Sequence, residues 1–308
     1  MAYLGIDIGG TKVAFRVETD TGRVDETTFS WAARRSVAQD FAQLASHVGK
    51  LPVPPRAVGV AMPATVGADG RITAWPNRPE WTGLDLGASL RELFPDAALA
   101  WADDGDLGAL AEARASDCDN LLYIGVGTGI GGGLVLRGEP CPGLGRGSFE
   151  IGHLIVELDG ALCVCGRNGC LQAIASGPAT LGRAALLRGA DVSFDELRRA
   201  WCDGQSWAGA ALDRTSRALA AAVAGVAELL HPERVLIGGG FAAGIPDLVG
   251  SVSGCVAELA GPGQPPLPVE PATLGGLSSL RGAVSLARLI ASDHPADAGN
   301  PVTGWRTT

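Results

Sequence analysis

The chain has 308 residues, 46% of them apolar and 19% charged, with 45 glycines. That balance is globular, not that of a disordered protein, and the length gives room for two domains. A formal charge of −9 argues against a non-specific nucleic-acid surface, which needs a basic footprint.

Residues 3–8 form a short apolar strand that runs into Asp7-Ile8-Gly9-Gly10-Thr11-Lys12. It starts too early to leave room for a leader peptide ahead of it. No run of about 20 apolar residues offers a membrane span. The expectation is therefore a cytoplasmic protein without membrane or nucleic-acid partners. Residues 13–18 make a second strand, and Thr21-Gly22 turns into a third over residues 24–30. The turn between the first two strands brings together the backbone N–H groups of Gly9 and Gly10, the Thr11 hydroxyl and the Lys12 ammonium. Such a nest suits phosphate oxygens, although Gly-Gly-Thr also fits a plain hairpin. Asp7 beside it could hold a magnesium ion through water.

Residues 37–48 carry helical amphipathic spacing, and residues 57–61 form a buried strand. Trp75-Pro76-Asn77 and Trp81 lie in a loop that either borders a cleft, with Asn77 as a substrate contact, or only packs itself. A strand over residues 97–102 leads to Asp103-Asp104-Gly105-Asp106 and a helix over residues 107–115. One aspartate satisfies a helix N-cap. Three in four positions exceed that need, and their repulsion should raise one pKa, the profile of a general base.

A strand over residues 121–125 meets the run Gly125-Val126-Gly127-Thr128-Gly129-Ile130-Gly131-Gly132-Gly133. A strand over residues 133–137 follows, where a dinucleotide fingerprint needs a helix, so that motif is rejected. Thr128 and Gly129 instead belong to a second strand–glycine turn–strand phosphate loop that echoes the first. Next comes Glu150-Ile151-Gly152-His153, then Cys163-Val164-Cys165-Gly166 and Gly169-Cys170-Leu171-Gln172. One imidazole and three thiolates (His153, Cys163, Cys165, Cys170) make the tetrahedral shell of a structural zinc. A metal-free cysteine cluster and a disulfide are the alternatives. Helices are expected over residues 178–188, 194–200 and 208–230, the last stopped by His231-Pro232. A strand over residues 234–237 opens through Gly238-Gly239-Gly240 onto a helix near residues 245–259. A last strand (267–270), a last helix (275–290) and an aperiodic, disordered tail complete the chain.

Glu-Ile-Gly-His followed by Cys-x-Cys-Gly-x-x-Gly-Cys-Leu resembles the signature of the ROK family, the repressors, open reading frames and sugar kinases. With the Asp7–Lys12 loop, the Asp104 turn, the Thr128 loop and the Gly238 run, the resemblance covers nearly the whole chain in order. It implies a two-domain α/β fold of the actin-like ATPase (ribonuclease H-like) type with a structural zinc loop. The smaller domain would take residues 1–115, completed by a C-terminal helix near 278–292. The larger would take 116–277, with 293–308 as the tail. It implies a homodimer and ATP-dependent phosphorylation of a hexose 6-hydroxyl with magnesium. By position Asp104 would be the base. Asp103, Asn77, Glu150, His153 and Gln172 would face the sugar. Asp7, Gly9, Gly10, Thr11, Lys12, Thr128 and Gly129 would serve the phosphates, and Gly238, Gly239 and Gly240 would border the adenosine.

Three departures stand out. The family has Asn-Asp where this chain has Asp103-Asp104, Cys-Leu-Glu where it has Cys170-Leu171-Gln172, and Ala-Gly where it has Ser148-Phe149. Exchanging an amide for a carboxylate removes two donors and adds an anion, which an ammonium prefers. The expected substrate is therefore an amino sugar, with its amine at C3 of glucose. A plain glucokinase or another hexose kinase, and a non-catalytic sugar sensor, are the competing readings. A repressor of the family would need a DNA-binding segment ahead of Asp7.

Overall fold

The computed structural model describes residues 1–32, 36–75, 78–143, 148–261, 263, 265 and 267–292. Asn77 and the tail from residue 293 therefore lie outside the described residues. The rest divides into two compact units. The first holds Met1–Ala111 and the C-terminal helix Ser278–Ser292; the second holds Glu112–Cys141 and Phe149–Gly276.

In the first unit β1 (Ala2–Ile8), β2 (Lys12–Thr19) and β3 (Val24–Ser30) form an antiparallel ribbon. Helix α1 (Val37–Val48) follows, opened by a capping box in which Ser36 and Gln39 satisfy each other's backbone N–H. Strand β4 (Ala57–Ala61) then pairs parallel to β1. The short hairpin β5 (Thr65–Val66) and β6 (Ile72–Ala74) and helix α2 (Leu86–Leu93) lead to β7 (Ala98–Ala102), parallel to β4. The sheet order is β3-β2-β1-β4-β7. Along β1, Leu4, Ile6 and Ile8 all point into one core with Phe15, Trp75 and Trp81, the alternation a half-covered strand requires. The other face takes the C-terminal helix at very close range. A Cβ on Gly59 of β4 would sit 2.0 Å from the Ala283 carbonyl oxygen, so only glycine fits there.

Helix α3 (Asp104–Ala115) carries the chain from the first unit into the second. There β8 (Leu121–Val126), β9 (Ile130–Leu136) and β10 (Glu139–Cys141) repeat the antiparallel ribbon. Helices α4 (Leu171–Ala175), α5 (Gly177–Arg188), α6 (Phe194–Cys202) and α7 (Ser206–Leu230) follow. Strand β11 (Arg234–Gly238), helices α8 (Gly240–Gly244) and α9 (Leu248–Leu259), and strand β12 (Val269–Pro271) complete the unit. Strands β8, β11 and β12 are parallel, and the order β10-β9-β8-β11-β12 matches that of the first sheet. The echo between the two glycine turns is thus an echo of whole sheets.

Several element edges differ from the sequence reading. Helix α3 begins at Asp104, not residue 107, because Asp103 caps it. Strand β9 begins at Ile130, not residue 133, since Gly131, Gly132 and Gly133 pair with Gly125, Ile124 and Tyr123. The helix expected from residue 245 splits into α8 and α9. Pro246 lacks the N–H a continuing turn needs, and Asp247 adopts φ 57°. The last strand and last helix sit a few residues later than expected.

Candidate active site and metal centre

The parallel strands of the first sheet end level with one another. Asp7 lies in register with Ala61, and Ala61 with Ala102, after which the chain delivers Asp103 and Asp104. The carboxyl edge of parallel strands is where ligands collect in such sheets. Asp103 Oδ1 accepts the backbone N–H of Gly105 at 2.9 Å and of Asp106 at 3.4 Å. It is therefore the N-cap of α3. Asp104 and Asp106 fall in the first turn, where the helix dipole favours anions.

The carboxyl group pushed up is Asp7, to about 7. Burial is the main cause and the Asp104 charge adds to it, while Lys12 opposes. Register across the sheet brings the strand that delivers Asp104 alongside the Asp7 strand, two positions over. A buried carboxylate facing another carboxylate, with one lysine in partial compensation, is a donor set that fits a divalent cation. Beside it, the Gly9 N–H closes the turn onto the Lys12 carbonyl at 3.0 Å, leaving Thr11 and Lys12 exposed.

In the second sheet, Gly125 lies in register with Gly238. The turn after β8 and the Gly238-Gly239-Gly240 run after β11 thus leave the same edge. The Gly127 N–H donates to the Gly129 carbonyl at 2.9 Å, and the Gly127 carbonyl receives the Gly177 N–H at the start of α5, also at 2.9 Å. Thr128 is exposed at the tip. Two groups from the segment after the turn brace it. Gly152 backs onto Ile130 so closely that a Cβ there would meet the Ile130 carbonyl oxygen at 2.0 Å. Gln172 Oε1 accepts the Ile130 N–H at 3.0 Å. Gln172, expected to face the sugar, thus also braces the glycine turn through its amide oxygen.

Glu150 and His153 flank the short turn Ile151–His153, with Glu150 exposed and His153 half-buried. The ligand atoms of His153, Cys163, Cys165 and Cys170 all lie within 4.8 Å of one another. Cys163 Sγ is 3.6 Å from His153 Nδ1, and Cys165 Sγ is 3.6 Å from Cys170 Sγ. A zinc tetrahedron with bonds of about 2.3 Å has edges of roughly 3.8 Å. A disulfide would need sulfurs about 2.05 Å apart, and every cysteine here is free. With Nδ1 turned to the cluster, His153 has Nε2 for another partner.

Hydrogen bonds to Arg167 pull the Cys165 thiol down to about 6. Burial, with Cys165 and Cys163 adding to it, pushes Cys170 up to about 12. Three thiols this close cannot all ionise unless a cation joins them, a charge that a zinc ion would supply. The loop is tightly pinned. Gly169 has φ 75°, and a Cβ there would fall 1.5 Å from the Glu157 carbonyl oxygen, so no other residue fits.

Two features escaped the sequence reading. Trp31 and Arg78 reach the carbonyls of the first glycine turn from far along the chain. In α3, Glu112 is fully buried, and its carboxylate accepts the N–H groups of Thr273 and Leu274 at 2.8 and 3.0 Å. Neither has a local motif. The one hint was an arginine set among tryptophans.

The ROK family model matches residues 3–289. A kanosamine kinase from Amycolatopsis mediterranei is 69% identical over 294 residues, covering 94% of this chain and 97% of that protein. The crystal structure of a ROK hexokinase from Thermus thermophilus superposes with a TM-score of 0.83 at 28% identity, covering 96% of this chain and 100% of that one. A ROK family glucokinase from Streptomyces griseus, in complex with glucose and AMPPNP, gives 0.80 at 26% identity, covering 94% and 100%.

Proposed function

The chain belongs to the ROK family, and from that membership we propose that it is an ATP-dependent sugar kinase acting on the 6-hydroxyl of kanosamine, 3-amino-3-deoxyglucose. The observation that carries this reading is the 69% identity to the Amycolatopsis kanosamine kinase along 94% of the chain. The actin-like ATPase fold, with two glycine turns and a cysteine–histidine loop, supports it at the level of the family.

In the proposed reaction Asp104 takes the proton of the 6-hydroxyl as that oxygen attacks the γ-phosphorus of ATP. The bond from this phosphorus to the β,γ-bridging oxygen breaks, and ADP leaves. In such a transfer positioning and charge stabilisation supply most of the catalysis. Magnesium, when bound, neutralises the phosphates, and Asp7 is the residue assigned to hold it. Gly9, Gly10, Thr11, Lys12, Thr128 and Gly129 are assigned to the phosphates, and Gly238, Gly239 and Gly240 to the adenosine. Glu150, His153 through Nε2, and Asn77 are assigned to sugar hydroxyls. Gln172 has its amide NH2 to offer, since its oxygen is bonded to Ile130.

The amine preference is assigned to Asp103. Its Oδ1 is held by the cap of α3, as an asparagine oxygen would be. The exchange from the family's asparagine therefore acts at the second atom, replacing an NH2 with a charged oxygen. An ammonium, which only donates, gains an oppositely charged acceptor from that exchange, whereas a neutral hydroxyl can pair with either group. Zinc is assigned a structural role in the His153–Cys170 loop, and the protein is taken to be a cytoplasmic homodimer. Among the described residues no helix is long and apolar enough to cross a membrane.

Release of ADP with kanosamine, glucose and glucosamine tests the proposal. Kanosamine should show the highest kcat/KM. Equal or better use of glucose would leave a plain hexose kinase, the reading favoured by the Thermus and Streptomyces neighbours. No turnover with any hexose would leave the sugar sensor.

A further inference from the structure

The first glycine turn is held from behind by a buried polar cluster. Trp31 Nε1 donates to the Gly9 carbonyl at 2.9 Å, and the Trp31 backbone N–H donates to the Thr11 carbonyl at 3.0 Å. Arg78 Nε donates to the Gly10 carbonyl at 3.2 Å. Three consecutive carbonyls of the turn are thus engaged by two residues. In a trans peptide the N–H points opposite to its carbonyl. Fixing the carbonyls of Gly9 and Gly10 therefore turns the N–H groups of Gly10 and Thr11 away from the cluster, the orientation an anion-binding nest needs.

Arg78 is itself firmly placed. It is 7% exposed and its Nη1 donates to Asp40 Oδ2 at 2.9 Å. Asp40 is fully buried, and the same oxygen accepts Trp81 Nε1 at 2.9 Å. The guanidinium carbon stacks 4.6 Å from the centre of the Trp31 ring. A guanidinium can serve carboxylate, carbonyl and indole face at once because its donors lie in a rigid planar fork; an ammonium cannot. A buried arginine is a costly way to fill a core, and here one of its donors goes to the phosphate turn.

We infer that Arg78 is a positioning residue for the nucleotide phosphates: through Gly10 O it holds the Gly10–Thr11 peptide in the orientation that presents the Thr11 N–H, beside the Gly10 N–H that Trp31 orients through Gly9 O. This rests on the kinase reading for the identity of the ligand, but not for the geometry of the turn. Arg78→Lys keeps a cation for Asp40 while losing the fork. Trp81→Phe is the control, since it removes a hydrogen bond from the same carboxylate and touches no turn carbonyl.

Two measurements on the full-length protein decide the matter. Arg78→Lys should shift the Thr11 amide NMR resonance and weaken magnesium–AMPPNP binding by about tenfold, the loss of one charge-assisted hydrogen bond. Trp81→Phe should lower the melting temperature at least as much, yet leave the Thr11 resonance in place and the affinity within about twofold. Nucleotide affinity unchanged in Arg78→Lys would overturn the inference. So would a loss of affinity in Trp81→Phe that keeps pace with its loss of stability. A protein that binds magnesium–AMPPNP and shows the Arg78→Lys effects but phosphorylates no hexose would sink the sugar-kinase reading and uphold this one.

Discussion

Asp103 and Asp104 are neighbours in the chain with different tasks. The first spends an oxygen on the backbone of α3; the second begins the helix whose dipole favours its charge. Asp104→Asn should lower kcat by about 10²–10⁴-fold, the usual worth of a general base, with a much smaller change in sugar KM. Steady-state kinetics at saturating ATP reads this. Asp103→Asn keeps the cap acceptor, so the fold should stand. The ratio of kcat/KM for kanosamine to that for glucose should fall about tenfold, the worth of one charge-assisted contact. An unchanged ratio would remove Asp103 from substrate selection.

Asp7 makes a pH statement at the same scale. Its folded-state pKa is raised from 3.8 to about 7, so the folded chain binds that proton more tightly than the unfolded one. The stabilisation is complete below about pH 4 and is lost as pH climbs to about 7, amounting to about 4 kcal/mol at most. In metal-free buffer, urea unfolding across this window should show stability falling with pH, and Asp7→Asn should flatten that slope. If the variant keeps the wild-type slope, Asp7 is not its source.

At the scale of elements, the His153–Cys170 loop and the helix-on-sheet contact are the tightly packed parts. Cys163→Ser should abolish stoichiometric zinc, measured by elemental analysis, because a three-ligand shell is no longer closed. Gly59→Ala should destabilise by about 1–3 kcal/mol in urea, since its Cβ meets backbone that cannot step aside. Much at this scale was legible beforehand. The two strand–turn–strand ribbons announce themselves through short apolar runs broken by glycine, and the candidate metal set through one histidine and three cysteines within eighteen positions. What was not legible depends on distance along the chain. The brace from Gln172 to the glycine turn was invisible because its partner, the Ile130 N–H, is a backbone group 42 residues away. Helix α3 looked shorter because a run of aspartates reads as a loop until one of them is seen to cap. Arg78 has no local motif beyond its tryptophan neighbours, since its partners Gly10 and Asp40 lie 68 and 38 residues off.

At the scale of the molecule, each unit has a hydrophobic core of its own beneath a sheet of the same strand order. The metal ligands belong to one unit alone, Phe149–Gly276 with Glu112–Cys141. Chelation should therefore act unevenly. In calorimetry, zinc removal should lower and broaden one component of the melt and leave the other near its original temperature. A uniform downward shift would show the two cores to be a single cooperative block.

The indoles behind the first glycine turn have an optical consequence. Trp31 is bonded to the Gly9 carbonyl, Trp81 lies 6.3 Å from it and Trp75 lies 5.0 Å from Trp81. Rings at such spacing share excitation, so ultraviolet light absorbed anywhere in the trio is emitted under the influence of the residue touching the turn. The protein thus carries a native fluorophore beside its proposed phosphate pocket, and nucleotide arrival can be followed by emission colour and intensity with no label attached.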